Sequence, residues 1–217
     1  HRVHRRQRQM CIRDRHTEPE LEFNSMHRMC DDLRPEYDNE MIEKWIKGET
    51  GFPFLDACMK FLQTNGWINF RMRAMIMSFA SYNMWQPWQK TSPLLAELFT
   101  DYEPGIHISQ VQMQSGVTGI NLPRIYSVTK QSMDQDPNAD WIKRLIPKLR
   151  EFDTKLIHEA NLNNSYIPKI VDLKESAKFA RDQVWSIRKN KHFKNEAKLV
   201  YLKHGSRRKR RLAAYQR

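Results

Sequence analysis

Between Trp45 and Asn83 runs the stretch WIKGETGFPFLDACMKFLQTNGWINFRMRAMIMSFASYN, which leaves the fold little freedom. Gly48–Gly51 turns the chain. Pro53 follows where a helix can begin, because its missing N–H costs little there. Phe54, Leu55, Cys58, Met59 and Leu62 then recur at helical spacing and make one apolar face. Asp56 is a carboxylate inside that helix. Asn65–Gly66 ends it, and Gly66–Trp67 joins it to a second helix, predicted from about Ile68 to Trp85. Met72, Met75, Ile76, Phe79 and Met84 form the buried stripe of this second helix, and Pro87 stops it. Two apolar-faced helices on so short a joint demand a helical body.

The flanking sequence fits that body. Leu21, Met26, Met29, Cys30 and Leu33 fall at mostly helical spacing between Glu18 and Arg34. Asp38 or Asn39 can cap a short helix through Trp45 and Ile46. A short helix is predicted over 93–100, another over about Ala139–Glu151, and an amphipathic one over Lys174–Arg188. The stretch 101–125 is rich in Gly and Gln with weak periodicity, so it reads as a helix turn plus a loop lining a site. Residues 152–173 read as mostly irregular. The expected fold class is all-α and multi-helical.

The net charge of +12 is unevenly placed. Residues 1–15 carry six Arg against one Asp, and residues 186–217 carry twelve Lys and Arg against one Glu. The span 16–185 has 19 basic and 23 acidic residues, so the basicity belongs to the ends. Such ends attract phosphate in a salt-sensitive way or simply keep the chain soluble. Residues 1–15 show neither helical period nor cap and are expected to be a non-native or disordered basic segment. The domain is expected over 16–188, with 189–217 as a basic tail. No apolar run reaches the ~20 residues that cross a bilayer. Cys11, Cys30 and Cys58 lack metal-ligand spacing. Both features point to a cytoplasmic protein with reduced thiols and no metal.

Several residues could carry chemistry. Arg71 and Arg73 open the second helix and point roughly 160° apart at ~100° per residue. One can face an anionic group while the other faces the surface, or both can lie along a core helix. Asp101 and Glu103 could pair with a buried Arg or cap a helix. His107 could manage a proton or be held by structural hydrogen bonds. Gln110, Gln112 and Gln114 could offer amides to a ring edge or to water. Trp85 and Trp88 are spaced to allow stacking or electron hopping, though packing in the core is the ordinary role of a Trp.

Together these residues resemble the DNA photolyase and cryptochrome family. The family pattern of Trp, Gly, Thr-Gly-aromatic-Pro and Asp-Ala-x-Met is matched by Trp45, Gly48, Thr50, Gly51, Phe52, Pro53, Asp56, Ala57 and Met59. Its Gly-Trp-x-x-x-Arg-x-Arg and Ser-Phe pair are matched by Gly66, Trp67, Arg71, Arg73, Ser78 and Phe79. Arg124, Ile125, Tyr126 and Gln131 match a later Arg-Ile-aromatic block. The resemblance spans about residues 18–160. It implies the family's helical FAD-binding domain, without the N-terminal α/β antenna domain and without the early helical segment. A C-terminal fragment with half an FAD site is therefore expected.

The resemblance also implies roles. FAD is the expected cofactor, held by Arg73, Asp101, Glu103, His107 and Phe70. Arg71, Arg124 and Met113 fall where relatives touch DNA or the lesion. His107 and Trp88 fall at a flavin-adjacent and an electron-relay position. The implied partner is DNA containing pyrimidine dimers, the protein acting as a monomer and away from membranes. The implied reaction is blue-light-driven electron transfer from reduced flavin to the dimer, the alternative being a photoreceptor without repair. Two departures bear on that choice. Phe70 stands where relatives commonly have Asn, and Val111, Gln112 and Met113 stand where many have Trp-x-Trp.

Overall fold

The structure is a computed structural model that describes residues 16–205. Among these residues every regular element is helical. Two 3-10 stretches, Pro19–Glu22 and Arg28–Leu33, occupy the span where helical spacing predicted an α-helix. Side chains take the backbone donors an α-helix would need. Ser25 N–H donates to Asp31 Oδ1 at 2.6 Å, and Met26 N–H to Gln112 Oε1 at 2.6 Å.

Helix α1 runs over Asn39–Lys47, capped by Asp38 and ended by Gly48 at φ +68°. Helix α2, Pro53–Asn65, is buried on every side from Pro53 to Met59, not on one face alone. It is the central rod of the core, packed by α1 and by later helices. At its start Asp56 accepts from Thr50 N, Thr50 Oγ1, Gly51 N and Tyr166 Oη at 2.6–3.2 Å. This clamp ties the turn before α2 to a segment 110 residues onward.

Helix α3 covers Phe70–Ser78, capped by Asn69, and continues as one π-helical turn over Phe79–Asn83. Trp85, at φ +56°, breaks the run. Trp85 meets Phe179 edge-on and Arg34, whereas Trp88 is buried and donates to Ser25 Oγ at 3.1 Å. The two indoles thus have separate neighbours.

Helix α4 spans Trp88–Leu98 and α5 spans Pro104–Ser115. A full helix over 104–115 corrects the expected turn plus loop. Its periodicity is blurred because Gln112 is buried, with its amide donating to Leu21 O and Asn24 O. Helix α6, Val128–Gln135, is an element additional to those the sequence predicts. Helix α7, Asp140–Leu145, stops before a 3-10 turn that begins at Pro147, so the helix expected to Glu151 is shorter. Helix α8, Thr154–His158, lies in the span expected to be irregular. Helix α9 covers Leu173–Lys189, and α10 covers Lys191–His204. The expected tail is therefore helical over much of its length, with Phe193, Val200 and His204 buried. The reading of residues 1–15 lies outside the described residues.

Candidate functional site

The joint at Gly66 positions the site. Thr100 N–H and Thr100 Oγ1 both donate to Gly66 O, at 3.0 and 3.2 Å. A side chain at Gly66 would run into Thr100. This contact sets the start of α3 beside the start of α5. Arg73 on α3 then meets Asp101 through both ends of its fork, Nη1 to Oδ1 and Nη2 to Oδ2, each at 3.0 Å. Its Nε donates to Ile68 O at 2.8 Å, and its guanidinium lies over the Phe99 ring at 4.2 Å and near Trp67 at 5.9 Å. A doubly hydrogen-bonded, ring-stacked guanidinium is a fixed cation rather than a swinging one.

His107 stands one turn into α5, with the Phe99 and Tyr102 rings edge-on at 6.0 and 5.3 Å. Its Nε2 lies 3.1 Å from the Ser92 carbonyl and 3.0 Å from Ser92 Oγ. A carbonyl only accepts, so Nε2 carries the proton and Nδ1 is an acceptor. Burial lowers its pKa, the Ser92 carbonyl opposes that, and the Arg73 charge lowers it further.

The other candidates are placed as follows. Glu103 caps α5, accepting from Gly105 N at 3.2 Å and Ile106 N at 2.7 Å. Phe70 is 56% exposed at the first position of α3, and Arg71 beside it is exposed. Arg124 is exposed, and its carbonyl accepts from Ser78 Oγ at 3.3 Å. Met113 is half-buried near the end of α5. Trp88 lines a cleft of about 460 Å³ together with Ser92, Tyr102 and Phe23. The structure thus gathers Arg73, Asp101 and His107 around Phe99 and leaves Glu103 engaged with backbone. Among the described residues, no cluster of His, Cys, Asp and Glu suits a metal ion, and no helix is long and apolar enough to cross a membrane.

Trp67 enters the sequence reading only through the Gly-Trp motif and Tyr102 not at all; Trp67 is 52% exposed beside the Arg73 guanidinium, and Tyr102 is 43% exposed with its ring against His107. The exposed Phe70 lies three positions before Arg73 on α3. The Gly-Trp joint was the available signal for Trp67; nothing in the spacing marked Tyr102.

Comparison with known proteins gives a consistent answer. The family described as the FAD binding domain of DNA photolyase matches residues 4–186. A deoxyribodipyrimidine photo-lyase of Alkalihalophilus pseudofirmus is 29% identical over 144 residues, 65% of this chain and 30% of that protein. Cryptochrome-2 of Gallus gallus is 29% identical over 122 residues, 55% of this chain and 21% of that protein. The crystal structure of an archaeal photolyase from Sulfolobus tokodaii, with two FAD molecules, superposes with a TM-score of 0.74 at 24% identity. That superposition covers 79% of this chain and 41% of the other. The chain thus spans under a third of the length of the curated relatives it matches. FAD is the cofactor of this domain family, and a fixed cation with the exposed Trp67 ring beside it and the acceptor nitrogen of His107 nearby suits an anionic, ring-bearing group. The chain belongs to the FAD-binding domain family of the DNA photolyases, which the cryptochromes share.

Proposed function

We propose that this chain forms one wall of an FAD site in a photolyase-like protein that repairs pyrimidine dimers in DNA under blue light. The observation that carries the reading is the Arg73–Asp101 fork over the Phe99 ring, with exposed Trp67 beside the cation and His107 packed on Phe99 and Tyr102. Held by Arg73, Asp101 and His107, FAD would supply the light-driven electron-transfer chemistry that splits a pyrimidine dimer. Arg73 supplies fixed positive charge beside the bound group, and Asp101 holds the fork in place. His107, kept neutral by burial, offers Nδ1 as an acceptor to a ring N–H. Phe70 adds apolar surface, and Glu103 holds the N-terminus of α5 through its cap. Arg71 and Arg124, both exposed, present cations to DNA phosphates, and Met113 offers an apolar contact near the lesion. Trp88 is enclosed close to the site, which suits an electron relay. The protein acts on DNA as a monomer.

A second reading, a photoreceptor without repair, is favoured by one observation. Val111, Gln112 and Met113 put no aromatic wall on α5. The tests are flavin binding and repair. FAD titrated into the purified chain should gain fluorescence anisotropy, and Arg73→Ala should abolish the gain. Binding unaffected by Arg73→Ala would overturn the site. With the full-length protein, blue light should restore a dimer-containing oligonucleotide. Flavin binding without restoration favours the second reading.

A further inference from the structure

The C-terminal helices carry a groove that the flavin reading does not use. It is lined by Gly119 and Ile120 of the loop after α5, by Trp185 and Arg188 on α9, and by one face of α10. Its volume is about 660 Å³. Helix α10, Lys191–His204, lies beyond the residues that the family matches. Gly119, Ile120 and Trp185 lie within the matched span, and Arg188 and the α10 side of the groove lie outside it.

Charge comes first. Arg188, Lys194 and Lys198 line the groove, and among the described residues no carboxylate does. Glu196, the acid of α10, is drawn away: it accepts from Arg28 N at 2.6 Å and lies 3.6 Å from His27 Nδ1. Arg188 is anchored rather than free. Its Nη2 donates to Gly119 O at 3.4 Å, and its guanidinium lies over the Trp185 and Phe193 rings at 5.8 and 5.3 Å. Its Nη1 is enclosed and has no hydrogen-bond partner among the described residues. Phe193 is fixed in turn by the His27 ring stacked at 3.8 Å.

Flat apolar faces come second. Trp185 is 46% exposed and Tyr201 36%, and both line the groove. Cations interleaved with exposed aromatic rings match a phosphodiester backbone bearing unstacked bases. The chain's own ends are poor occupants, because residues 1–15 and 206–217 are strongly basic. An acidic peptide would meet the cations but leave the ring faces unmatched.

We propose that the groove between the Gly119–Ile120 loop and helices α9 and α10 binds single-stranded nucleic acid. Phosphates lie on Lys194 and Lys198, the anchored Arg188 adds fixed charge to the groove, and bases stack on Trp185 and Tyr201. The site is independent of flavin and of the lesion-facing residues.

The test uses the full 217-residue chain without FAD, so failure of the flavin reading leaves it untouched. A fluorescein-labelled oligothymidylate is titrated at rising salt and followed by anisotropy. The paired substitution Lys194→Glu and Lys198→Glu should lower the magnitude of the log–log salt slope by about 1.4, at ~0.7 per phosphate contact. Trp185→Ala should weaken binding roughly tenfold through lost stacking while leaving the charge unchanged. Circular dichroism melts verify that the variants are folded. Loss in Trp185→Ala separates the groove from diffuse attraction to the basic ends. Parental binding by both variants overturns the proposal, as does binding that disappears only on deleting 206–217. A phosphatidylcholine–phosphatidylserine vesicle is the second probe, since Leu202 on the groove is 54% exposed. Vesicle binding that falls in these variants, with oligonucleotide binding unmoved, assigns the face to a membrane instead.

Discussion

Asp56→Asn tests how the domain is held together. The Asp56 carboxylate is fully buried and receives four donors. Oδ1 takes Thr50 N at 2.8 Å and Thr50 Oγ1 at 2.6 Å; Oδ2 takes Gly51 N at 3.2 Å and Tyr166 Oη at 2.8 Å. Burial pushes the carboxyl above its ordinary value, and the donors of Thr50, Tyr166 and Gly51 oppose that. Asparagine keeps the shape but turns one oxygen into an NH₂. Whichever way the amide turns, that NH₂ faces one backbone N–H and one hydroxyl. The hydroxyl can rotate away, but the backbone N–H is left without an acceptor. An orphaned buried donor costs about 1–3 kcal/mol, and losing the charge-assisted bond to the hydroxyl brings the expected loss to about 2–4 kcal/mol. For a chain of this size that lowers the melting temperature by roughly 4–16 °C. Urea unfolding followed by far-UV circular dichroism at neutral pH measures it. Tyr166→Phe and the double variant complete a cycle, with an expected coupling of about 1 kcal/mol or more. A loss below about 0.5 kcal/mol for Asp56→Asn would refute the reasoning. It would mean that the carboxyl is already protonated in the fold and acts as a neutral amide would.

Three further outcomes are expected. Gly116 sits at φ +75°, and a side chain there would overlap Tyr82 Oη, so Gly116→Ala should cost about 1–3 kcal/mol in a thermal melt; an unchanged melt would show the contact to be loose. The pKa of His107 is lowered by burial, so the folded state binds fewer protons than the unfolded one below the ordinary histidine value. Its stability is intact above that value and falls as pH drops below it. The urea midpoint should therefore decline between pH about 7.5 and about 5.5 by less in His107→Gln than in the parent; an equal decline would remove His107 from the account. Burial pushes the Cys30 thiol up to about 12 and Cys58 well above its ordinary value, so iodoacetamide should modify neither in the native chain and both in urea. Native modification of Cys58, read by peptide mass spectrometry, would contradict its burial.

The helices with one clean apolar face were legible in the sequence, and so were the stops at Gly48 and Gly66, because side-chain period and glycine conformation are local properties. Helix α5 was not, because Gln112 is polar yet buried, its amide serving the backbone of Leu21 and Asn24, which lie far away in sequence. The same long-range demand unwinds 18–34 into 3-10 turns. At the site, Arg73 was legible through its motif and Asp101 through its position in the resemblance, and the structure pairs them. The engagement of Glu103 with Gly105 and Ile106 was one of two readings that spacing allowed, and the geometry of the cap shows which one this structure uses. Tyr102 carried no pattern, because its contact with His107 depends on where the α4–α5 connection passes, not on its own neighbours in the chain.

The wide turn over Phe79–Asn83 makes α3 behave like a crankshaft with offset throws. A π turn admits one extra residue, so the segment beyond it is rotated by about 100° relative to a regular continuation. Ahead of the turn the rod aims Arg73 at Asp101. At the far end of the turn, Asn83 Nδ2 donates to Ser176 Oγ at 3.0 Å, and Tyr82 packs on Ala180 and Val184 of α9. Deleting a single residue between Phe79 and Asn83 would straighten the shaft, leave the first throw aimed as before, and swing the second away from α9.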